Sequence, residues 1–175
     1  MTEIAVFGGG CFWCTEPVFA ALRGVVRVEP GYAGGHVEHP TYEQVCQQDT
    51  GHIEVVRVEF DPELISYESL LQVFFATHDP TTLDQQGADV GPQYASVIFC
   101  QTPAQRETAE HVLNEVQSAM EQRIVTRVRD ADTFWPAEPV HRNYYARNPE
   151  QGYCRVVISP KMQKFRRHFS ELLAT

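Results

Sequence analysis

Positive charge is scarce in this sequence: 14 Lys and Arg stand against 23 Asp and Glu, a formal net charge of −9. No basic run exceeds the Arg166-Arg167 pair, so a phosphate backbone would meet a repelling surface and nucleic acid is excluded as an expected partner. Long apolar runs are lacking as well. No stretch approaches the roughly 20 residues that a membrane-spanning helix needs. The opening "MTEIAVFGGG" carries an acid at position 3 before any apolar run, unlike a signal peptide. A cytoplasmic, reducing location without membrane association is therefore expected. Internal repeats and low-complexity tracts are missing, and so is an even set of cysteines. The five present (Cys11, Cys14, Cys46, Cys100, Cys154) argue for reactive, metal-binding or buried thiols rather than a disulfide framework.

What is there is globular in composition. Hydrophobic residues make up 43% and charged residues 21% of 175, which fits one soluble domain spanning 1–175. "EIAVFG" reads as a buried strand running into Gly8-Gly9-Gly10. "TEPVFAALRG" reads as a helix with Thr15 as N-cap and Gly24 as its stop, opening at about Cys14 to Glu16 because Pro17 suits a first turn. A Pro-kinked helix that begins earlier is the alternative. "VVRVEPGYAGG" is a strand broken at Pro30-Gly31. In "HIEVVRVEFDP" the alternation puts Ile53, Val55, Arg57 and Glu59 on one face and Glu54, Val56, Val58 and Phe60 on the other, so a carboxyl sits on an apolar face. Ser66 and Thr102 mark helix starts before "YESLLQVFFATH" and "PAQRETAEHVLNEVQSAMEQ". "TTLDQQGADVGPQ" has turn composition, and "YASVIFC" and "IVTRVRD" read as strands. "AEPVHRNYYARNP" reads as helical, "YCRVVISP" as strand or extended, and "KMQKFRRHFSELL" as a basic helix. The order predicts an α+β domain with a mixed or antiparallel sheet covered by helices.

The chemistry gathers at "GGGCFWCTEP". Cys11 follows three glycines that let N–H groups converge and lies where a helix N-terminus favours negative charge. Both effects predict a lowered thiol pKa. Four readings compete for the Cys11-Cys14 pair: a thioredoxin-like dithiol, half of a zinc site completed by His36, His39, Cys46 or His52, a nucleophile beside an apolar pocket, or small buried residues in a tight turn with no chemistry at all. Phe12 and Trp13 are bulky for a dithiol that must dock many disulfides, and a chain of this length has no need of a metal to fold. Cys100 reads as core, and Cys46 has no partner signal. Cys154, beside Gly152 in a late segment expected to move, is placed to reach a catalytic thiol. For Glu54, the plain alternative is a strand carboxylate paired with Arg57 or another cation.

At this point the sequence resembles a known family, the peptide methionine sulfoxide reductases of the A type. The likeness runs from about Ala5 to Phe169. It rests on "GCFWC" (10–14), "GYAGG" (31–35), "PTYEQVC" (40–46), "TGHIEVVRVEFDP" (50–62), "FFATHDPTTLDQQGADVGPQY" (74–94) and "NPEQGYC" (148–154), in the family's order. The resemblance implies a two-layer α+β sandwich with a ferredoxin-like core and reduction of the S epimer of methionine sulfoxide. It implies Cys11 as nucleophile, Glu54 as proton donor, Tyr42 and Tyr94 on the sulfoxide oxygen, and Asp89 ordering the polar side. Phe12 and Trp13 would hold the substrate's methyl group. The chemistry agrees, since a sulfoxide oxygen leaves only when protonated and a desolvated carboxyl keeps its proton near neutral pH.

The implied cycle makes a sulfenic acid on Cys11, condenses it with Cys154 to a disulfide, and restores both through an external dithiol, thioredoxin. No metal, flavin or nicotinamide is expected, and the working form is expected to be a monomer. Substrate is either free methionine sulfoxide or oxidised protein. Three departures stand out. Many members carry Gly where this chain has Cys14, which makes Cys14 the alternative resolving thiol, although the short loop around Phe12-Trp13 weighs against that bond. Arg commonly follows "QY", where Ala95 stands here, and Pro92 precedes Gln93-Tyr94.

Overall fold

A computed structural model describes residues 1–174. The chain runs through β1 (Glu3–Gly9), α1 (Phe12–Ala20), β2 (Val25–Ala33), α2 (Tyr42–Cys46), β3 (Ile53–Phe60) and α3 (Tyr67–Thr77). It continues through β4 (Gln85–Gln86), β5 (Asp89–Val90), β6 (Ser96–Cys100), α4 (Pro103–Ser118), β7 (Arg127–Asp130), β8 (Trp135–Pro136), α5 (Tyr144–Arg147) and α6 (Ser159–His168). Six strands form one sheet in the order β7-β6-β1-β3-β2-β8, and β4 pairs with β5 apart from it. All sheet pairs are antiparallel except β6 with β7. The four central strands give a β-α-β-β-α-β succession in which β3 lies between β1 and β2, the split arrangement of a ferredoxin-like core. An α+β sheet covered by helices is thus observed.

Side-chain alternation sorts the sheet into two faces. Phe7, Val56, Val58, Phe60 and Ile98 join Phe19, Leu70, Leu71 and Phe74 of the helices in the main core. Val6, Ile53, Val55, Val97 and Phe99 form a smaller cluster on the reverse. Glu54 shares the helix-covered face with Val56 and Val58, as the alternation predicts, and is 1% exposed. Ser66 and Thr102 cap their helices by accepting from the N–H of Ser69 at 3.0 Å and of Gln105 at 3.1 Å.

Several local expectations are corrected. Helix α1 opens at Phe12 with Cys11 as its N-cap and Pro17 inside it, so Thr15 is a buried helical residue and the earlier-starting alternative holds. Strand β2 is not broken: Pro30 pairs with Val56 and Gly31 with Val55. Pro30 is tolerated there because its carbonyl accepts from the Ala137 N–H at 3.0 Å while the ring removes only a donor near the sheet edge. The turn-rich 81–93 segment carries the small β4-β5 hairpin. The "YCRVVISP" segment is helical: a π-helical turn over Cys154–Ile158 runs straight into α6. Burial of Cys154, Ile158, Met162 and Phe165 at helical spacing overrides the local β-preference of Val156 and Val157.

Candidate functional site

The site forms where β1 ends. Gly10 adopts φ +97°, a backbone open to glycine, and a side chain there would strike Gln86 at 2.7 Å. The chain thereby turns to present Cys11 ahead of α1, with the Cys11 carbonyl accepting from the Cys14 N–H at 3.0 Å. Glu54 reaches across from β3. Its Oε1 accepts the N–H of Phe12, the peptide next to Cys11, at 3.1 Å, while Oε2 is buried with no hydrogen-bond partner. Burial pushes the Glu54 pKa up to about 8 against the pull of the Phe12 bond. The Arg57 alternative is resolved: Arg57 bonds Glu29 at 2.6 Å, and among the described residues Glu54 makes no ion pair.

The thiols depart from expectation. Cys11, half-buried, is pushed up by its interaction with Cys14, by desolvation and by Glu54, against the N–H of Trp13. Cys14 is lowered to about 7, chiefly by that interaction with Cys11, with Lys161 and the Tyr153 hydroxyl adding to it against burial. The two thiols are thus coupled, each shifting the other's proton affinity, with Lys161 and the Tyr153 hydroxyl favouring a negative charge on the Cys14 side.

Around them stand phenols. Tyr42 and Tyr94 are half-buried and raised by desolvation and then by Glu54, so both remain neutral donors. Tyr42 opens α2, whose Thr41 cap forms a reciprocal pair with Gln44, and the Tyr42 N–H donates to Glu138 Oε2 at 2.9 Å. Asp89, in β5, accepts from the Tyr153 hydroxyl at 2.6 Å, and the same hydroxyl lies 3.3 Å from Cys14 Sγ. Phe12 is wholly buried and backs the site, whereas Trp13 is half-buried and stacks on Tyr144 at 3.8 Å and 4°. Pro92 begins a 3₁₀ turn that ends at Tyr94, and Ala95 lies in the reverse-face cluster. The cation on this side is Lys161, which faces Cys14, Cys11 and Asp89 and is lowered by burial. A cavity of about 860 Å³ between α3 and α6 shares Lys161 and Gln86 with these surroundings.

Cys154 lies in a helical turn rather than an open late loop. It is 0% exposed, its N–H donates to Gln151 Oε1 at 3.1 Å, and burial, with a smaller influence of Cys14, raises its pKa. Cys100 is buried core, as expected; Cys46 ends α2 beside Tyr42. The zinc arrangement is not assembled. His52 accepts from the Gly35 N–H at 3.1 Å and donates to the Val37 carbonyl at 2.6 Å, and no group of three or more metal-ligating side chains occurs among the described residues. Sequence reasoning missed Tyr153, Glu138, His141 and Lys161. Tyr153 alone had a signal, its place before Cys154 in "QGYC".

A family model described as "Peptide methionine sulfoxide reductase" matches residues 3–173. The chain is 56% identical over 173 residues to the peptide methionine sulfoxide reductase MsrA of Chromobacterium violaceum, covering 98% of each. It is 54% identical over 171 residues to MsrA of Thermus thermophilus, covering 98% of this chain and 97% of that one. Its backbone is similar to reduced Mxr1 of Saccharomyces cerevisiae, with a TM-score of 0.83, 32% identity, and 87% and 89% of the two chains covered.

Proposed function

The chain belongs to the peptide methionine sulfoxide reductases, an α+β oxidoreductase that reduces the S epimer of methionine sulfoxide with thiol electrons, and we propose that Cys11 is its nucleophile and Glu54 its acid. The observation that carries this reading is the Glu54 carboxyl. It is protonated near neutral pH, pinned to the peptide after Cys11, and has one oxygen with no partner. An incoming sulfoxide oxygen supplies that partner.

The steps balance. The Cys11 sulfur bonds to the sulfoxide sulfur while its proton passes to Cys14, the sulfur it already hydrogen-bonds. Glu54 protonates the oxygen, with Tyr42 and Tyr94 donating to it and Asp89 holding Tyr153 on the polar side. The hydroxyl ends on Cys11 as a sulfenic acid and the thioether leaves as methionine. Trp13, backed by Phe12, receives the methyl group and excludes water.

A second thiol then attacks the Cys11 sulfur, an S–S bond forms, and water departs. The family resemblance gives this role to Cys154. The electrostatics support a two-stage route, because Cys14 interacts with Cys11 on one side and with Cys154 on the other. We assign the first disulfide to Cys11 and Cys14, and thiol-disulfide exchange then carries it to Cys14 and Cys154, freeing Cys11. An external dithiol of the thioredoxin class removes it; yeast Mxr1 has been solved in complex with Trx2. The protein's own part of the cycle rests on side chains alone, with sulfur carrying both electrons and the monomer as working unit. No helix among the described residues is long and apolar enough to cross a membrane.

The test is single-turnover reduction of each epimer of a methionine sulfoxide peptide without added reductant, with mass mapping of the resulting bond. Methionine from the S epimer alone, with a Cys11–Cys14 bond that gives way to Cys14–Cys154, is the expected result. A Cys11–Cys154 bond from the earliest time point removes the two-stage route, and turnover that survives Cys11→Ser removes the nucleophile.

A further inference from the structure

The sequence holds only two lysines, Lys161 and Lys164, and both line the cavity of about 860 Å³ between α3 and α6. With Phe165 and His168 they stand at i, i+3, i+4 and i+7 of α6, which is one face of the helix. The floor beneath them is apolar, with Phe75 and Phe165 buried and Phe169 half-buried. The acid in this lining is Asp79, and it is turned to its own loop. Its Oδ1 accepts from the Thr81 N–H at 2.9 Å and from the Thr81 hydroxyl at 2.5 Å.

Neither lysine joins an ion pair among the described residues, although the chain carries a net charge of −9. Lys161 is half-buried, and a cation withdrawn from water without a counter-charge is costly. A carboxylate entering the cavity supplies that counter-charge. The cavity also reaches the reaction centre. Gln86 lines it, and a side chain at Gly10, the residue before Cys11, would meet Gln86 at 2.7 Å. A polypeptide whose sulfoxide lies against Cys11 therefore enters the cavity within a few residues, at about 3.3 Å of reach for each. The volume is toward the upper end of the roughly 300–1,000 Å³ of ordinary ligand pockets, more space than one amino acid fills.

We propose that the cavity between α3 and α6 is a subsite for the polypeptide that carries the oxidised methionine, and that it selects an acidic side chain near the sulfoxide. Lys161 and Lys164 take the carboxylate, and Phe75, Phe165 and Phe169 take the apolar part of the same segment. The proposal rests on Cys11 and Glu54 being the reacting pair. Charge complementarity chooses this occupant, since a basic residue beside the sulfoxide would meet both lysines with like charge. Lys161 also faces the thiols. Lys164 is exposed and outside the reaction described above, so it separates substrate selection from chemistry.

The experiment uses end-blocked peptides with one S-epimer methionine sulfoxide and one Glu, placed in turn at each neighbouring position on either side, against the same peptides bearing Gln and against free S-epimer methionine sulfoxide. Single-turnover rates over a range of substrate concentrations are read for the parent, Lys164→Glu, Lys164→Arg and Cys11→Ser. Steady-state rates with a thioredoxin-class dithiol and the mass of each protein in solution accompany them. At one position or more, the Glu peptide is expected to half-saturate the parent at about fivefold lower concentration than its Gln partner, the scale of one charge pair, with saturating rates within about twofold. The preference should fade at about 0.5 M salt, be lost or reversed in Lys164→Glu, and return in Lys164→Arg. Equal half-saturation by every Glu and Gln pair overturns the subsite and leaves the chemistry standing. A preference that survives Lys164→Glu unchanged places the acid elsewhere and overturns it as well. Free methionine sulfoxide saturating as readily as the best Glu peptide assigns the lysines to the amino acid's own carboxylate. A Lys164→Glu effect confined to recycling by the dithiol assigns the cavity to the reductant, and one confined to dissociation of a dimer assigns it to a second copy. Each of these three overturns the peptide subsite. Turnover that survives Cys11→Ser overturns the reacting pair itself, and the proposal with it.

Discussion

Glu54 is a carboxyl held where its charged form is disfavoured, and its environment makes two measurable demands. The folded pKa of about 8 lies above the ordinary 4.5, so the folded state binds an extra proton between those values. The associated stability is fully present below about 4.5 and is lost as pH rises through 8. Glu54→Gln, neutral at every pH, should therefore gain in melting temperature over the parent progressively from pH 5 to pH 8.5. The same substitution should slow single-turnover reduction by about 10²–10⁴-fold, and the parent's rate should fall as pH rises above about 8. A variant melting curve parallel to the parent's across that range contradicts the protonated carboxyl. At this scale the sequence was informative, because the period of a strand alone placed Glu54 among Val56, Val58 and Phe60. It read Cys11 by itself, from its position at a helix start, whereas the structure couples it to Cys14 and Glu54. That coupling also draws in Lys161, which arrives from the far end of the chain.

Helix α1 owes its start to the glycine before it. Gly10→Ala meets a disfavoured backbone region, costing about 1–2 kcal/mol, and also pushes on Gln86, whose Oε1 accepts from the Asp79 N–H at 2.9 Å. The expected outcome is a protein that folds, melts lower, and reduces substrate at least about tenfold more slowly because Cys11 is displaced from Glu54. Equal rates in Gly10→Ala and the parent would show that the turn does not set the geometry. Elements with a clear period or cap were legible: β3 by alternation, α3 and α4 by Ser66 and Thr102. The stretch from Trp135 to Ile158 was not, since its elements are two to five residues long and carry no repeat to read. There the register comes from tertiary bonds, such as Glu16 Oε1 accepting from the N–H of Asn143 at 2.9 Å, a residue at φ +52°. A buried Glu16, raised to about 7 by desolvation, had no local signature at all.

Over the whole molecule, the final third of the chain closes on the site made by the first. Tyr144 covers Trp13, Tyr153 bridges Cys14 and Asp89, and Cys154 is sealed inside the core. For the proposed exchange to reach Cys154 and then an outside dithiol, the helical stretch around it must loosen. Hydrogen exchange measured before and after one turnover should show faster exchange across 152–168 in the oxidised protein, with β1 and β3 unchanged. Equal protection in both states would restrict the disulfide to Cys11 and Cys14.

The sheet order also bears on how the protein is made. Strand β1 is synthesised first, yet it lies between β3 and β6, whose residues leave the ribosome only after 53–60 and 96–100 have been translated. During synthesis the "GCFWC" segment therefore waits without strand partners, its two thiols exposed as ordinary cysteines with neither Glu54 beside them nor Tyr153 above. A nascent chain in an oxidising burst would be vulnerable at the very residues that later deal with oxidation, and the interval does not end before translation has passed Tyr153.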